Sequence, residues 1–312
     1  MTPVEQAVAE FLSYLAVRNY SETSLRTYAH SLGLFVAFLS GIGITDPVEV
    51  TTEVLEGYPR PLFHHRKRNA EPLSTRTQTH RIQPVRLLFA RLLRTGVIDR
   101  DPAAMLEKPR PEHRLPPTPL SIEEVEAVLA VPDVTTPFGL RDRAILEVLY
   151  SAALRRTELL GLRLEDVDTS RGTLFIRRGK GKKDRYVPVG DRALHWARRY
   201  LDEVRSQYIT EPDHRMLFIA YTGSPLSADF LSEAVNGYIK AGGSGKVGSC
   251  HLLRHTAATL MLEGGADIRF IAEMLGHARL ETTQLYTRVS IHQLRSVHAA
   301  THPGSTLRRS TF

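Results

Sequence analysis

The chain has 312 residues, 42% of them hydrophobic, with a formal net charge of +7 and an isoelectric point near 9.6. That length is comfortable for two domains, and the apolar content suffices for proper cores, which excludes a disordered chain. The single cysteine, Cys250, excludes intrachain disulfides and cysteine-built zinc frameworks, and no apolar run approaches the roughly 18 residues that span a bilayer. The start, MTPVEQ, is polar and carries no apolar export core, so the expected setting is cytoplasmic. The charge is uneven: residues 1–59 hold 2 Lys/Arg against 7 Asp/Glu, whereas residues 60–114 hold 13 against 5. Such a basic segment fits a polyanion partner, whose counterions clustered Lys/Arg displace, and fits a solvated cationic surface equally well.

Val4, Ala7, Val8, Phe11, Leu12 and Leu15 recur at helical spacing and predict a first amphipathic helix. Ser21 and Ser24 are cap candidates for a second, carrying Leu25, Tyr28, Leu32, Phe35 and Leu39 before Gly41. A weaker helix is expected near Thr51–Glu56, and residues 59–72 (PRPLFHHRKRNAEP) read as a basic loop. Ser74–Thr95 reads as a helix with Ile82, Val85, Leu88, Phe89, Leu92 and Leu93 inward, kinked or delayed by Pro84. Arg76, Arg81, Arg86, Arg91 and Arg94 spread around it; their density favours a DNA-facing role, with Arg76, Arg81 and Arg86 as candidate contacts. Residues 108–119 (KPRPEHRLPPTP) contain five prolines and predict an extended linker. The expected organisation is a helical domain over 1–107, the linker over 108–119, a second domain over 120–300 and a loose polar tail over 301–312.

In the second domain, Ser121 begins a capped helix (SIEEVEAVLA), residues 140–151 form another, and Thr157–Leu162 a third. Residues 173–178 (TLFIRR) and 185–189 (RYVPV), joined by GKGKKD, read as a β-hairpin, and more helices follow from about 191 to 300. The fold class is mostly α with a small β-hairpin. Trp196 reads as core and Cys250 as a buried or bystander thiol. GKGKK lacks the Ser/Thr of a phosphate-binding P-loop; GGSGKVG (242–248) lacks that and the earlier glycine, and reads as a flexible loop.

In HLLRH (251–255), a helical wheel puts His251, Arg254 and His255 on one face and Leu253, Ala257 and Leu260 on the other. Two imidazoles at i, i+4 match a zinc helix, but Arg254 stands between them and the second position is not Glu. A fixed cation beside a divalent metal is unfavourable, so no metal is expected. An arginine beside a histidine suits a phosphate, to which a guanidinium donates paired hydrogen bonds; an ordinary polar helix face fits the pattern too.

HLLRH is followed by MLGHARLETTQLYTRV and preceded by LYSAALRRTELLGLRLEDVD and the turn GKGKKDRYVP. With these motifs in this order, the sequence resembles the tyrosine recombinase family, the phage-integrase and Xer-like enzymes. The resemblance covers nearly the whole chain and is strongest from about 140 to 290. It implies catalytic roles for Arg155, Lys180, His251, Arg254, His277 and the nucleophile Tyr286, with Glu158 supporting Arg155. Lys182 and Lys183 are implied to be solvated or to contact the DNA backbone. Ala152 and Ala153 stand where the family has Thr-Gly, and a local adjustment of a close backbone approach is expected there. Arg156, beside Arg155, leaves the register of the first arginine open.

The resemblance further implies a two-domain DNA clamp, with an all-helical, SAM-like core-binding domain and a mixed α/β catalytic domain. The implied activity is site-specific recombination of double-stranded DNA at paired sites through a 3′-phosphotyrosine, for integration, excision or resolution. A homotetramer would form on synapsed DNA from free monomers or dimers, nucleoid-associated when bound, with no cofactor and no membrane partner. Ile291, Leu294 and Val297 would dock on a neighbour or on their own domain. A type IB topoisomerase-like enzyme and a catalytically silent DNA-binding protein are the alternatives.

The residue types suit that chemistry. Two arginines can hold the non-bridging oxygens where charge accumulates, and a phenol of pKa about 10 needs its proton accepted before it attacks. His251 can accept it, His277 can donate to a phosphate oxygen, and an ammonium at Lys180 can protonate the departing sugar oxygen.

Overall fold

A computed structural model of the chain describes residues 1–67, 69–110, 118–177, 184–210 and 213–276. The chain divides into two compact units, Met1–Arg114 and Leu115–Phe312.

The first unit is built from α1 (Pro3–Val17), α2 (Glu22–Gly41), α3 (Thr52–Gly57), α4 (Pro59–His64) and α5 (Thr75–Arg94). Helix α1 starts in a capping box: the Thr2 hydroxyl accepts from the Glu5 N–H at 3.2 Å, and the Glu5 carboxylate accepts from the Thr2 N–H at 2.7 Å. Ser21 and Ser74 cap α2 and α5 in the same way from the side-chain side. Leu32, Phe35 and Leu39 of α2 pack against Ile82, Val85, Leu88 and Phe89 of α5. Phe35 meets Tyr58 and Phe89 edge-on, at 5.0 and 6.0 Å between centroids.

Three expectations for this unit are corrected in whole or in part. The stretch 59–72 is not a loop throughout: Pro59 takes the first helical position, where its missing N–H costs nothing, and α4 buries Leu62. A turn follows, closed by the Lys67 N–H on the Glu71 carbonyl at 2.8 Å. Helix α5 starts without delay at Thr75 and runs through Pro84, whose ring is buried, so apolar packing offsets the missing backbone donor. Leu93 is 41% exposed and faces away from the core.

The second unit contains α6 (Ile122–Ala130), α7 (Pro137–Ser151), α8 (Arg156–Leu160), β1 (Val167–Asp168), β2 (Thr173–Ile176), β3 (Arg185–Pro188), α9 (Asp191–Tyr200), α10 (Ser206–Tyr208), α11 (Ala228–Ala241), α12 (Cys250–Glu263) and α13 (Ile268–Leu275). The fold is mostly helical with a small sheet, as expected. The hairpin is present, with Ile176 opposite Arg185 and Thr173 opposite Pro188, and β1 adds a third antiparallel strand. Two residues of β1 are too few to show a period of two in sequence.

Helix α7 is buried along most of its length and packs against α9 and α12. Its buried charges are paired: Arg141 with Asp142 at 2.8 Å, and Glu147 with Arg143 and Arg192 at 2.8 and 2.9 Å. Trp196 is half-buried at the rim of the core rather than inside it, between the Arg143 and Arg199 guanidiniums at 4.6 and 5.1 Å. The loop before α12 is tied down: Lys246 donates to the Pro119 carbonyl and to Glu124, the capping-box acid of α6. Among the described residues, no helix is long and apolar enough to cross a membrane.

Candidate active site

Three elements, α8, β3 and α12, deliver side chains to one place, and the turn that ends α7 aims the first of them. Helix α7 ends in a Schellman turn: the Leu154 N–H reaches the Leu149 carbonyl and the Ala153 N–H the Tyr150 carbonyl, both at 3.3 Å. Ala153, at the left-handed position of that turn, has φ +47° and is fully buried. The reversal places Arg155 at the N-cap of α8, with Glu158 in the first turn. Strand β3 supplies Arg185, and α12 supplies His251 and Arg254.

Glu158 is the centre. It accepts from Arg155 Nη1 at 2.6 Å and from the Arg155 N–H at 2.9 Å. Arg185 donates both terminal nitrogens to its two oxygens, each at 2.9 Å, and Arg254 Nη1 lies 3.7 Å away. Burial by itself would push this carboxyl up; the hydrogen bonds from Arg185 and Arg155 and their charges outweigh it and hold the group at about 2. Because its pKa is depressed, its stabilisation is present above the ordinary carboxylate range and is lost only as pH falls towards about 2.

The same three arginines read successive main-chain carbonyls at the end of α13. Arg185 Nε donates to Met274 at 3.0 Å, Arg254 Nη2 to Leu275 at 2.6 Å and Arg155 Nη2 to Gly276 at 3.1 Å. Gly276 adopts φ +60°, the left-handed C-cap that ends the helix and turns its carbonyls outward. Arg254 Nη1 also donates to the Ala153 carbonyl at 2.7 Å, tying the two turns together. Helix-end carbonyls carry only partial negative charge, so three guanidiniums around one carboxylate leave a strongly electropositive surface. Such a surface suits an anion with several acceptor oxygens.

His251 lies one turn before Arg254 on α12 and reaches solvent. Partial desolvation, then the charges of Arg254, Arg156 and Arg155, lower its pKa, which favours the neutral imidazole, able to accept a proton. Arg254 and His255 are buried, not on an exposed polar face, because α12 is packed on most sides. Arg156 turns away from Glu158 to Ser232 Oγ at 2.6 Å and the Ala228 carbonyl at 3.3 Å, so it is Arg155 that faces the cluster. The Cys250 thiol is buried and pushed up to about 11. Among the described residues, no group of three or more His, Cys, Asp or Glu side chains is placed to hold a metal ion. Lys180, Lys182, Lys183, His277 and Tyr286 lie outside the described residues.

The N-terminal SAM-like domain profile of phage integrases matches residues 8–96, and the phage integrase family profile matches residues 119–293. The chain belongs to the phage integrase family. It is a site-specific tyrosine recombinase, and the topoisomerase-like and catalytically silent alternatives gain no support. The chain is 46% identical to tyrosine recombinase XerC 2 of Ralstonia nicotianae, over 93% of its own length and 83% of the relative's. Against tyrosine recombinase XerD of Lacticaseibacillus casei, identity is 36% over 95% and 98% of the two chains. Among solved structures, the XerH recombinase bound to its difH substrate before cleavage is 25% identical, with a TM-score of 0.69 over 91% of this chain and 81% of that one.

Arg185 is the residue of this recombinase that sequence reasoning missed. A signal was available: on β3 it lies two residues from the buried Val187, hence on the inward face of the strand. Of the candidate DNA contacts in the other unit, Arg76 is exposed on α5. Arg86 is half-buried and donates to the Ala104 carbonyl at 3.4 Å, and Arg81 keeps one terminal nitrogen buried without a hydrogen-bond partner.

The Ala152–Ala153 departure also acquires a physical reading. The turn calls for a residue at positive φ, which glycine adopts freely and alanine tolerates at a cost of about 1–2 kcal/mol. Replacing Ala153 by valine adds branched bulk in a full core at an unsuitable φ, and should destabilise the recombinase by about 2–5 kcal/mol. Ala153→Gly should stay within about 1 kcal/mol of the parent, strain relief being offset by chain entropy and a lost methyl. Denaturant unfolding measures both, and a valine variant as stable as the parent would remove the turn from the account.

Proposed function

We propose that this recombinase cuts and rejoins DNA at paired recombination sites through Tyr286. The phenol oxygen attacks the scissile phosphorus, the bond to the 5′-oxygen breaks, and a 3′-phosphotyrosine and a free 5′-hydroxyl result. Arg155 and Arg254 hold the non-bridging oxygens, where charge accumulates in the pentacoordinate state. Neutral His251 accepts the phenol proton, His277 donates a hydrogen bond to a phosphate oxygen, and Lys180 protonates the leaving 5′-oxygen. A 5′-hydroxyl from the exchanged strand reverses each step. No water enters the first step, so the phosphodiester bond energy is retained and neither ATP nor a metal is consumed.

The observation that carries this reading is the convergence of Arg155, Arg185 and Arg254 on Glu158 and on the carbonyl end of α13. It is a cationic seat in which each guanidinium is held by a main-chain carbonyl at the end of α13 and lies against the Glu158 carboxylate. Exchange between two duplexes breaks four strands, and each protomer brings one Tyr286, so four protomers on synapsed DNA satisfy the stoichiometry. Helix α5 of the first unit contributes Arg76 to backbone contact, with Lys182 and Lys183 doing the same from the second. The cytoplasm, where the DNA is, is the proposed setting.

A nicked suicide duplex tests the function. Cleavage beside the nick releases a short fragment that diffuses away, so the covalent protein–DNA adduct should accumulate, with EDTA present or absent, and intact sites should exchange strands. Absence of any adduct would remove the nucleophilic mechanism; adduct without exchange between sites would remove recombination at paired sites.

A further inference from the structure

Arg185 opens β3, and its guanidinium joins parts of the catalytic unit distant in sequence. Its two terminal nitrogens grip both oxygens of Glu158 at 2.9 Å, while Nε takes the Met274 carbonyl at 3.0 Å. A two-point grip fixes the plane of a carboxylate, which a single ion pair does not. That plane decides what Arg155 meets, since Oε1 takes its Nη1 and Oε2 its backbone N–H. The guanidinium also lies against Gly276, where an added Cβ would come within 3.1 Å of it. Both partners are largely buried, the Arg185 side chain 13% and Glu158 4% exposed, so water screens the contact little.

We infer that Arg185 is a positioning residue for DNA cleavage: by clamping Glu158 and the end of α13 to β3, it holds Arg155 and Arg254 in the geometry that grips the scissile phosphate. This rests on Arg155 and Arg254 being the phosphate ligands. Arg185 stands five residues after Lys180 in sequence, so the competing role is the one proposed for Lys180, protonation of the leaving 5′-oxygen. The two make opposite predictions.

The experiment is single-turnover cleavage of nicked DNA by Arg185→Ala, Arg185→Lys, Glu158→Gln and the double variant Arg185→Ala/Glu158→Gln. At saturating DNA, Arg185→Ala should cleave about 10–100-fold more slowly, the range for partners that orient a site's ligands, with DNA affinity unchanged. Arg185→Lys should recover little, since one ammonium cannot span two carboxylate oxygens and a carbonyl. The double variant should be no slower than the slower single one, because both changes break the same link. Millimolar guanidinium should partly restore Arg185→Ala by taking the place of the lost group beside Glu158. On DNA with sulfur in place of the bridging 5′-oxygen, Lys180→Ala should be relieved because sulfur leaves without an acid, and Arg185→Ala should stay slow.

A parental rate in Arg185→Ala, full recovery in Arg185→Lys, additive losses in the double variant, or relief by sulfur would each overturn the inference. If Arg185→Ala fails to fold in a thermal melt, Arg185→Lys carries the same readouts. Arg155→Ala is the control: parental cleavage there would sink the reading of the site itself. A slow Arg155→Ala beside a parental Arg185→Ala would sink only the positioning role.

Discussion

Tyr286→Phe is expected to bind its DNA site as the parent does and to form no covalent adduct on the nicked duplex. The change removes one oxygen and leaves the ring, so shape and packing at the position are preserved while the atom that would bond to phosphorus is gone. Loss of a nucleophile lowers rates on the order of 10⁶, which places residual adduct below detection on a gel. Normal binding matters as much as absent chemistry, because it shows that the variant still presents the arginine seat to DNA. An adduct surviving in the phenylalanine variant would move the nucleophile to another residue and would undo the alignment of MLGHARLETTQLYTRV with the family's nucleophile segment.

Arg254→Ala and Arg155→Ala should each slow cleavage by about 10²–10³ or more, by analogy with removing one donor from an oxyanion site. Arg254 has the heavier structural burden. Its loss strips donors from the Ala153 and Leu275 carbonyls and weakens the charge balance of Glu158, so a stability defect should accompany the kinetic one. Arg155→Ala leaves Glu158 gripped by Arg185, and its defect should be closer to purely catalytic. Thermal melts beside single-turnover rates separate the two contributions. A loss below tenfold in either variant would mean that the residue does not touch the phosphate.

Much of the fold was legible because period and caps agree in this chain. Ser21 and Ser121 announced capped helices, and each hydroxyl accepts the expected N–H; Ser74, where the third helical pattern begins, caps α5 likewise. Helix α4 was hidden because two prolines in PRPLFH look like breakers, although Pro59 at the first position is compatible with helix. The polar face drawn for HLLRH was half right: the wheel grouped His251 with Arg254 correctly, but period alone cannot say that a helix is packed on most of its sides. The Thr256 hydroxyl, buried and accepting from the Leu120 N–H at 3.0 Å, shows how a polar residue on such a helix is accommodated. Motif order brought Arg155, Glu158 and Arg254 to one place on paper, and the structure brings them together around one carboxylate. The three helix-end carbonyls that hold the arginines were not legible in the same way, since main-chain oxygens have no letter in the sequence.

Hydrogen bonds to main-chain carbonyls are blind to side-chain identity, so Met274 and Leu275 are constrained only by their apolar burial and can drift among residues of similar volume without disturbing Arg185 or Arg254. Gly276 has less latitude: at its positive φ a side chain is strained, and an added Cβ would press to 3.1 Å against the Arg185 guanidinium, which would have to shift. Selection on this recombinase should therefore act letter by letter on the arginines and on that glycine, while the helix between them records only hydrophobicity.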